Sequence, residues 1–446
     1  MAGAALVVGA LGFALGRPSN GPDPAAAVGS PGPSRLVSPP AASLPFASAV
    51  SSAPASPPVA SSTPAPSATP ANTAGALGAQ LQATLDRLRI KAAMPGASAT
   101  ILFADGSSWT GVSGLADVTA RKAVTPNTAF AVGSISKTFL ATLILELAAE
   151  GRIGLDDAAW LYLPAVTLDH AITIRQLLDH TSGLYDFFFH PRIDAALRAN
   201  RAAAWTPAQT LAFVGKPYFK PGLGWHYSNT NYLLLGLIAE RAGRASLADQ
   251  FRARFFGPLG LSTAFYEVEE RPRGPLAHGY RFVGSNRTLP PIDLADGTGV
   301  APFRSVVTAA GGAGSVAASS IDLARWAKAL YGGAVLSPNS LAAMLGDVTN
   351  TARYKPRIPY GLGVQLVTVG GWPALGHSGR LLGSQGLMRY FPGQGFSVAV
   401  LTNQSRADPG VILKGLVAIV APPPPPPPSP SPSSSSPPSL SPAPTP

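Results

Sequence analysis

Gly133-Ser134-Ile135-Ser136-Lys137 opens an apolar-rich run that continues through Phe139-Leu140 and stops at Gly151. The pattern predicts a long helix over Ser134–Gly151. Residues three apart share a helix face, so the Ser134 hydroxyl and the Lys137 amine can meet. A serine hydroxyl is a poor nucleophile until a base takes its proton. A lysine can take it only if burial or nearby charge lowers its pKa from about 10.4. The helix N-terminus adds a positive dipole end where an oxyanion would form. Taken alone this spacing is weak, because a Ser-rich chain produces it by chance and a capping serine beside an exposed lysine is the commoner outcome.

Two later segments carry similar chemistry. Tyr227-Ser228-Asn229 follows the loop Pro221-Gly222-Leu223-Gly224 and precedes a predicted helix, Asn229–Gly243. A tyrosine aimed into a cleft can relay a proton, and an asparagine amide can hold a carbonyl and a neighbouring side chain at once. Asn229 is also a natural helix cap. Gly376-His377-Ser378-Gly379 stands just before two strand-like runs, Gly386–Tyr390 and Phe396–Thr402, joined by Pro392-Gly393. Glycine beside a strand lets another backbone approach closely. The other histidines, His170, His180, His190, His226 and His278, show no metal-ligand spacing with acidic support, so no metal and no cofactor are expected.

Elsewhere, Gly78–Ala93 reads as an amphipathic helix with Leu81, Leu85 and Leu88 on one face. Strands are expected at Ala97–Ala104 and Ser107–Gly114 around Asp105-Gly106. A helix is expected over Ile321–Tyr331, capped by Ser319 or Ser320, and a last one over Val411–Ala421. Strands thus lie at both ends and helices fill the middle. The expected class is α/β (α+β): an antiparallel sheet flanked by the first and last helices, beside a helical insertion.

The composition places this unit within the chain. Of 47 prolines in 446 residues, 14 fall in residues 1–77 and 14 in residues 422–446. Residues 1–16 are apolar and small, too short for a span of about 20 residues, and suit a secretory signal although no Lys or Arg precedes the run. Residues 17–77 and 422–446 are Ala/Pro/Ser-rich and cannot bury enough surface to order themselves. One folded unit, residues 78–421, is expected between two disordered arms. Cysteine is absent, which excludes disulfides, thiolate metal sites and a cysteine nucleophile. The net charge is +11, from 33 basic and 22 acidic residues, and would suit an anionic cell wall. No aromatic–basic interleaving supports nucleic-acid binding.

Order and spacing tie the motifs together. The tyrosine motif follows the SxxK serine by 93 residues, and His377 follows Tyr227 by 150. With Ile174-Arg175-Gln176-Leu177-Leu178-Asp179-His180-Thr181-Ser182-Gly183-Leu184, Gly257-Pro258-Leu259-Gly260-Leu261 and Tyr360-Gly361-Leu362-Gly363, residues 78–421 resemble the serine β-lactamase and penicillin-binding protein superfamily. The version here is similar to the class C type. Within it, Gly183-Leu184-Tyr185-Asp186 and the histidine form of the third motif most resemble secreted D-alanyl-D-alanine carboxypeptidases.

The resemblance implies that Ser134 is acylated, that Lys137 and Tyr227 share proton transfer, and that Asn229 orients substrate. It implies that His377 lines the cleft and bonds Tyr227 or substrate, with Gly379 and Arg380 beside it. The backbone N–H groups of Ser134 and Arg380 would form the oxyanion hole. His377 stands where β-lactamases usually have lysine, and a neutral imidazole is not a fixed cation. Arg380 is bulkier than the usual residue there and is expected to narrow the cleft or bind a substrate carboxylate. Phe187, Phe188 and Trp225 could line an acyl pocket for an esterase or amidase, although such aromatics are more often core or rim residues. The expected function is D-Ala-D-Ala carboxypeptidase action on cell-wall peptides outside the cytoplasm, by a monomer. The alternatives are an esterase, amidase or β-lactamase on the same site, or a non-catalytic wall-binding protein.

Overall fold

Two stretches far apart in sequence make the centre of the sheet. Gly96–Leu102 reads GASATIL and Phe396–Thr402 reads FSVAVLT, and every residue in both is buried. A strand covered on both faces shows no polar alternation, so each reads as one small or apolar run. They pair antiparallel, Ala97 opposite Thr402 and Leu102 opposite Ser397. The structure, a computed structural model, describes residues 75–282, 290–346, 348–349 and 358–422. Its main sheet has seven strands in the order Lys122–Ala123, Ser108–Asp117, Gly96–Leu102, Phe396–Thr402, Ser384–Phe391, Trp372–Leu381 and Gln365–Val369. Each neighbouring pair is antiparallel.

Alternate side chains serve the two faces. Ala97, Ala99, Ile101, Val398 and Val400 pack with Leu81 and Leu85 of helix Ala76–Lys91 and with Ile412 and Leu416 of helix Gly410–Val420. On the other face, the Ser98 and Thr100 hydroxyls share hydrogen bonds of 2.8 and 2.7 Å with Ser320 Oγ. These short side chains let helix Ser320–Tyr331 lie close to the sheet. Of the two expected caps for that helix it is Ser319 that acts, its Oγ accepting from the Asp322 N–H at 3.3 Å.

The helical insertion occupies the middle of the chain as expected, led by helices Ser136–Ala149 and Asn229–Gly243. Helix Ser136–Ala149 is buried at every position from Ser136 to Leu145 and again at Leu147. Phe139 stacks on Trp326 with ring centroids 4.2 Å apart, and Trp326 Nε1 donates to Thr138 Oγ1 at 2.9 Å. Removing a buried ring of this kind typically costs about 3–5 kcal/mol. This packing fixes the helix that carries Lys137.

Three local expectations are corrected. Ser134 does not begin the long helix: it lies in a separate 3₁₀ turn, Gly133–Ile135, ahead of Ser136. Gly133 has φ +54°, and a Cβ there would stand 2.6–2.7 Å from the Arg380 backbone, so the turn is shaped by its contact with the sheet. The His377 motif, expected just before a pair of strands, lies in the interior of a strand of its own, Trp372–Leu381. A Cβ on Gly379 would meet Val132 O at 1.8 Å, which explains why this strand needs glycine to lie against the turn. Asn229 is the first helical residue rather than the cap; Ser228 holds the cap position.

A further small sheet, Phe130–Ala131, Val316–Ala318 and Phe265–Tyr266, joins the insertion to the turn. Strands of two or three residues are too short to announce themselves by periodicity. The signal-like segment 1–16, the linker up to residue 74 and the tail from residue 423 lie outside the described residues. Among the described residues no helix is long and apolar enough to cross a membrane.

Candidate active site

Helix Ser136–Ala149 and its preceding turn bring Ser134 and Lys137 together as their spacing predicts. Lys137 Nζ donates to Ser134 Oγ at 3.1 Å, to Asn229 Oδ1 at 2.9 Å and to Ala313 O at 2.6 Å. Lys137 is wholly buried, whereas Ser134 is only half-buried and open to a substrate. Burial lowers the Lys137 pKa to about 7, against the opposing pull of the Asp186 charge. The ammonium also faces the rings of Tyr227 and Tyr232, 4.9 and 5.3 Å from their centroids.

These contacts have a chemical consequence. Asn229 Oδ1 and Ala313 O can only accept, so they orient two of the nitrogen's N–H bonds. When Lys137 loses its third proton, the vacated direction is a lone pair aimed at Ser134 Oγ. The geometry is that of a base held against its nucleophile.

Tyr227 lies beside this pair. Its hydroxyl is buried without a well-formed hydrogen bond, although Ser134 is close enough to pull its pKa down. Burial dominates and pushes the phenol well up, so Tyr227 keeps its proton at neutral pH. It is a donor in this state, so of the two groups only Lys137 can accept a proton near neutral pH.

Residues 376–380 bring the third motif to the same place, with its histidine turned inward. His377 is buried; its Nδ1 donates to Ser378 O at 2.6 Å and its Nε2 accepts from Tyr360 Oη at 2.9 Å. Burial, with the Lys137 charge, lowers its pKa to about 3, so it is neutral. Of the two expected partners, Tyr227 and substrate, Tyr227 is not the one the ring meets here; the tyrosine of the Tyr360-Gly361-Leu362-Gly363 motif takes that place. Arg380 is half-buried, and the Asp408 carboxylate opposes the effect of its burial. The Gly133–Arg380 backbone contact places the segments bearing the Ser134 and Arg380 N–H groups against each other.

The structure adds residues to which the sequence reading gave no role. Asp186 is buried; its Oδ2 accepts from Asn229 Nδ2 at 2.8 Å and its Oδ1 from the Phe188 N–H at 3.1 Å. His180 Nδ1 accepts from the Ser228 N–H at 3.2 Å and from Asn231 Nδ2 at 3.1 Å, which ties the tyrosine loop to its helix. A signal existed for both: Asp186 is a carboxylate set in the aromatic run Tyr185–Phe189, and His180 falls within the motif Asp179–Leu184. Of the two readings for these aromatics, core residues or an acyl pocket, Phe187 and Phe188 take the first, packed with Ile193 and Val306, and Trp225 is buried. Away from the site, Asp117, His278 and Asp293 bring ligand atoms within 4.8 Å of one another, so His278 does have the acidic support not foreseen in its sequence neighbourhood. There His278 Nδ1 and Asp293 Oδ2 are 2.8 Å apart.

Comparison with known proteins agrees with this geometry. The family model described as Beta-lactamase matches residues 81–421. The chain is 31% identical over 340 residues to "Penicillin-binding protein 4" of Amycolatopsis lactamdurans, covering 73% of this chain and 85% of that protein. It is 32% identical over 223 residues to "Penicillin-binding protein 4*" of Bacillus subtilis (strain 168), covering 49% of this chain and spanning only about half, 48%, of that relative. Among solved structures, the D-stereospecific amidohydrolase from Streptomyces sp. superposes with a TM-score of 0.65 at 30% identity, covering 77% of this chain and 98% of that one. The chain belongs to the beta-lactamase family and is a serine hydrolase.

Proposed function

We propose that the protein hydrolyses peptide bonds beside D-residues through an acyl-enzyme on Ser134, with D-Ala-D-Ala termini of cell-wall peptides as its substrate. The observation that carries this reading is the bond between Ser134 Oγ and the fully buried Lys137 Nζ. In the first half-reaction Ser134 Oγ bonds to the scissile carbonyl carbon while its proton passes to Lys137 Nζ. The negative carbonyl oxygen would lie against the N–H groups of Ser134 and Arg380; a donor of this kind typically contributes about 2.7–4 kcal/mol. As the C–N bond breaks, the leaving amine takes a proton from Tyr227 Oη, which is refilled from Lys137. Water then repeats the sequence on the acyl carbon and releases Ser134.

Arg380 would hold the terminal carboxylate of such a peptide. A second reading, an amidase acting on D-amino acid derivatives, has its own support in the likeness to the D-stereospecific amidohydrolase across 98% of that chain. The apolar, small-residue run over residues 1–16 supports action outside the cytoplasm.

The test is a panel of diacetyl-Lys-D-Ala-D-Ala, D-phenylalanine amide, nitrocefin and p-nitrophenyl acetate on wild type and Arg380→Ala. The carboxypeptidase reading expects the highest kcat/KM on the D-Ala-D-Ala peptide. It also expects Arg380→Ala to lose about tenfold or more on that peptide and little on the ester. A preference for the amide, with equal losses on peptide and ester, would replace it with the amidase reading.

A further inference from the structure

The network around Lys137 contains one carboxylate that makes no contact with Ser134. Asp186 directly precedes the phenylalanine run Phe187–Phe189, and the residues on either side of it are tied down. The Tyr185 carbonyl accepts from Thr230 Oγ1 at 2.6 Å, and Thr230 Oγ1 accepts in turn from the Phe187 N–H at 3.2 Å. These bonds clasp residues 185–187 to the first turn of helix Asn229–Gly243. The clasp presents the Asp186 carboxylate to Asn229 Nδ2 at 2.8 Å, while Asn229 Oδ1 accepts from Lys137 Nζ at 2.9 Å. A single amide thus bridges a buried cation and a buried carboxylate, with its donor toward one and its acceptor toward the other. An isolated carboxylate at this depth would be too costly to keep without such partners.

We propose that Asp186 is a positioning residue which, through Asn229, sets the protonation state of Lys137 and so the pH at which Ser134 is acylated. This rests on the reading of Ser134 and Lys137 as nucleophile and base. A negative charge at Asp186 favours the ammonium, so Asp186 holds Lys137 protonated to a higher pH than burial alone would allow. The carboxylate itself is pushed up to about 6 by burial, with Lys137 among the groups that hold it down. The charge of each partner therefore supports that of the other. Lys137 then opens to base catalysis near neutrality rather than standing neutral across the whole working range.

The other titratable groups facing this pair stay silent near pH 7. Tyr185, Tyr218 and Tyr227 have their phenols pushed up by burial and by Asp186. His180 and His377 are held neutral by burial, and His226 is lowered by it.

The experiment measures the pH dependence of acylation by a fluorophosphonate in the full chain for wild type, Asp186→Asn and Asp186→Glu. In wild type the rate rises through about 7. In Asp186→Asn the acid limb moves down by about one pH unit, and Asp186→Glu, which keeps the charge, restores it toward wild type. A rate lowered at all pH values with an unmoved limb would make Asp186 a purely structural residue and overturn the proposal. If Asp186→Asn does not fold, carboxyl ¹³C titration of Asp186 in wild type and Lys137→Met decides. Coupling is mutual, so losing the cation must raise the Asp186 midpoint, and an unmoved midpoint overturns the proposal. Failure of the wild type to acylate at all would instead sink the catalytic reading, and the carboxyl titration would still report on the coupling.

Discussion

Lys137 and Arg389 are two buried cations on neighbouring parts of the molecule, and burial does different work on each. Lys137 gives its protons to a serine, an amide and a carbonyl, and burial brings its pKa to about 7. Arg389, on strand Ser384–Phe391, donates to Met388 O at 3.0 Å and to Gln365 Oε1 at 3.0 Å, and burial lowers its pKa only to about 10. The same desolvation yields a proton acceptor in one case and a permanent charge in the other, because a guanidinium starts so much higher than an amine. The permanent charge has its own use. With Lys137 it adds to the burial that keeps His377 neutral, and Gln365, which accepts from Arg389, also accepts from the Ser378 N–H at 3.0 Å. Arg389 therefore braces the strand of the third motif, while Lys137 is the cation in contact with Ser134 Oγ.

Exchanging these chemistries gives the largest expected effect. Lys137→Arg places a cation that keeps its proton beside Ser134, and the acylation rate should fall by about 10²–10⁴-fold with the fold retained. Near-normal acylation in this variant, measured by stopped-flow labelling, would remove Lys137 as the base. The Asp186→Asn shift of the acid limb is next in size. Arg389→Met should have the smallest effect on chemistry, less than about tenfold in acylation, while urea unfolding shows a stability loss of about 1–3 kcal/mol. Abolished acylation in a folded Arg389→Met protein would collapse the distinction between the two cations.

What the sequence disclosed follows from the distance over which each feature acts. Ser134 and Lys137 are three residues apart, so helical geometry alone brings them together. The central strands and the amphipathic first helix were legible because a buried run or an apolar face is a local pattern. Asp186 meets Asn229 across 43 residues and His180 meets Asn231 across 51, and no local pattern records such meetings. His377 shows the limit clearly. Its motif was placed ahead of the strand pair rather than inside a strand, and which hydroxyl its ring would meet depended on Tyr360, 17 residues upstream on a different segment. The 3₁₀ turn at Ser134 was hidden for the same reason, since it is shaped by contact with Arg380, which lies far along the chain.

The central claim is that a buried lysine, neutral near pH 7, takes the proton of Ser134. Labelling of the full chain by a fluorophosphonate between pH 5 and pH 9, with the adduct located by mass spectrometry, tests it most directly. The account predicts a single adduct on Ser134, absent in Ser134→Ala, whose rate of formation rises through about 7 as Lys137 loses its proton. An adduct on another residue, or a rate on Ser134 that is flat across this range, would contradict it.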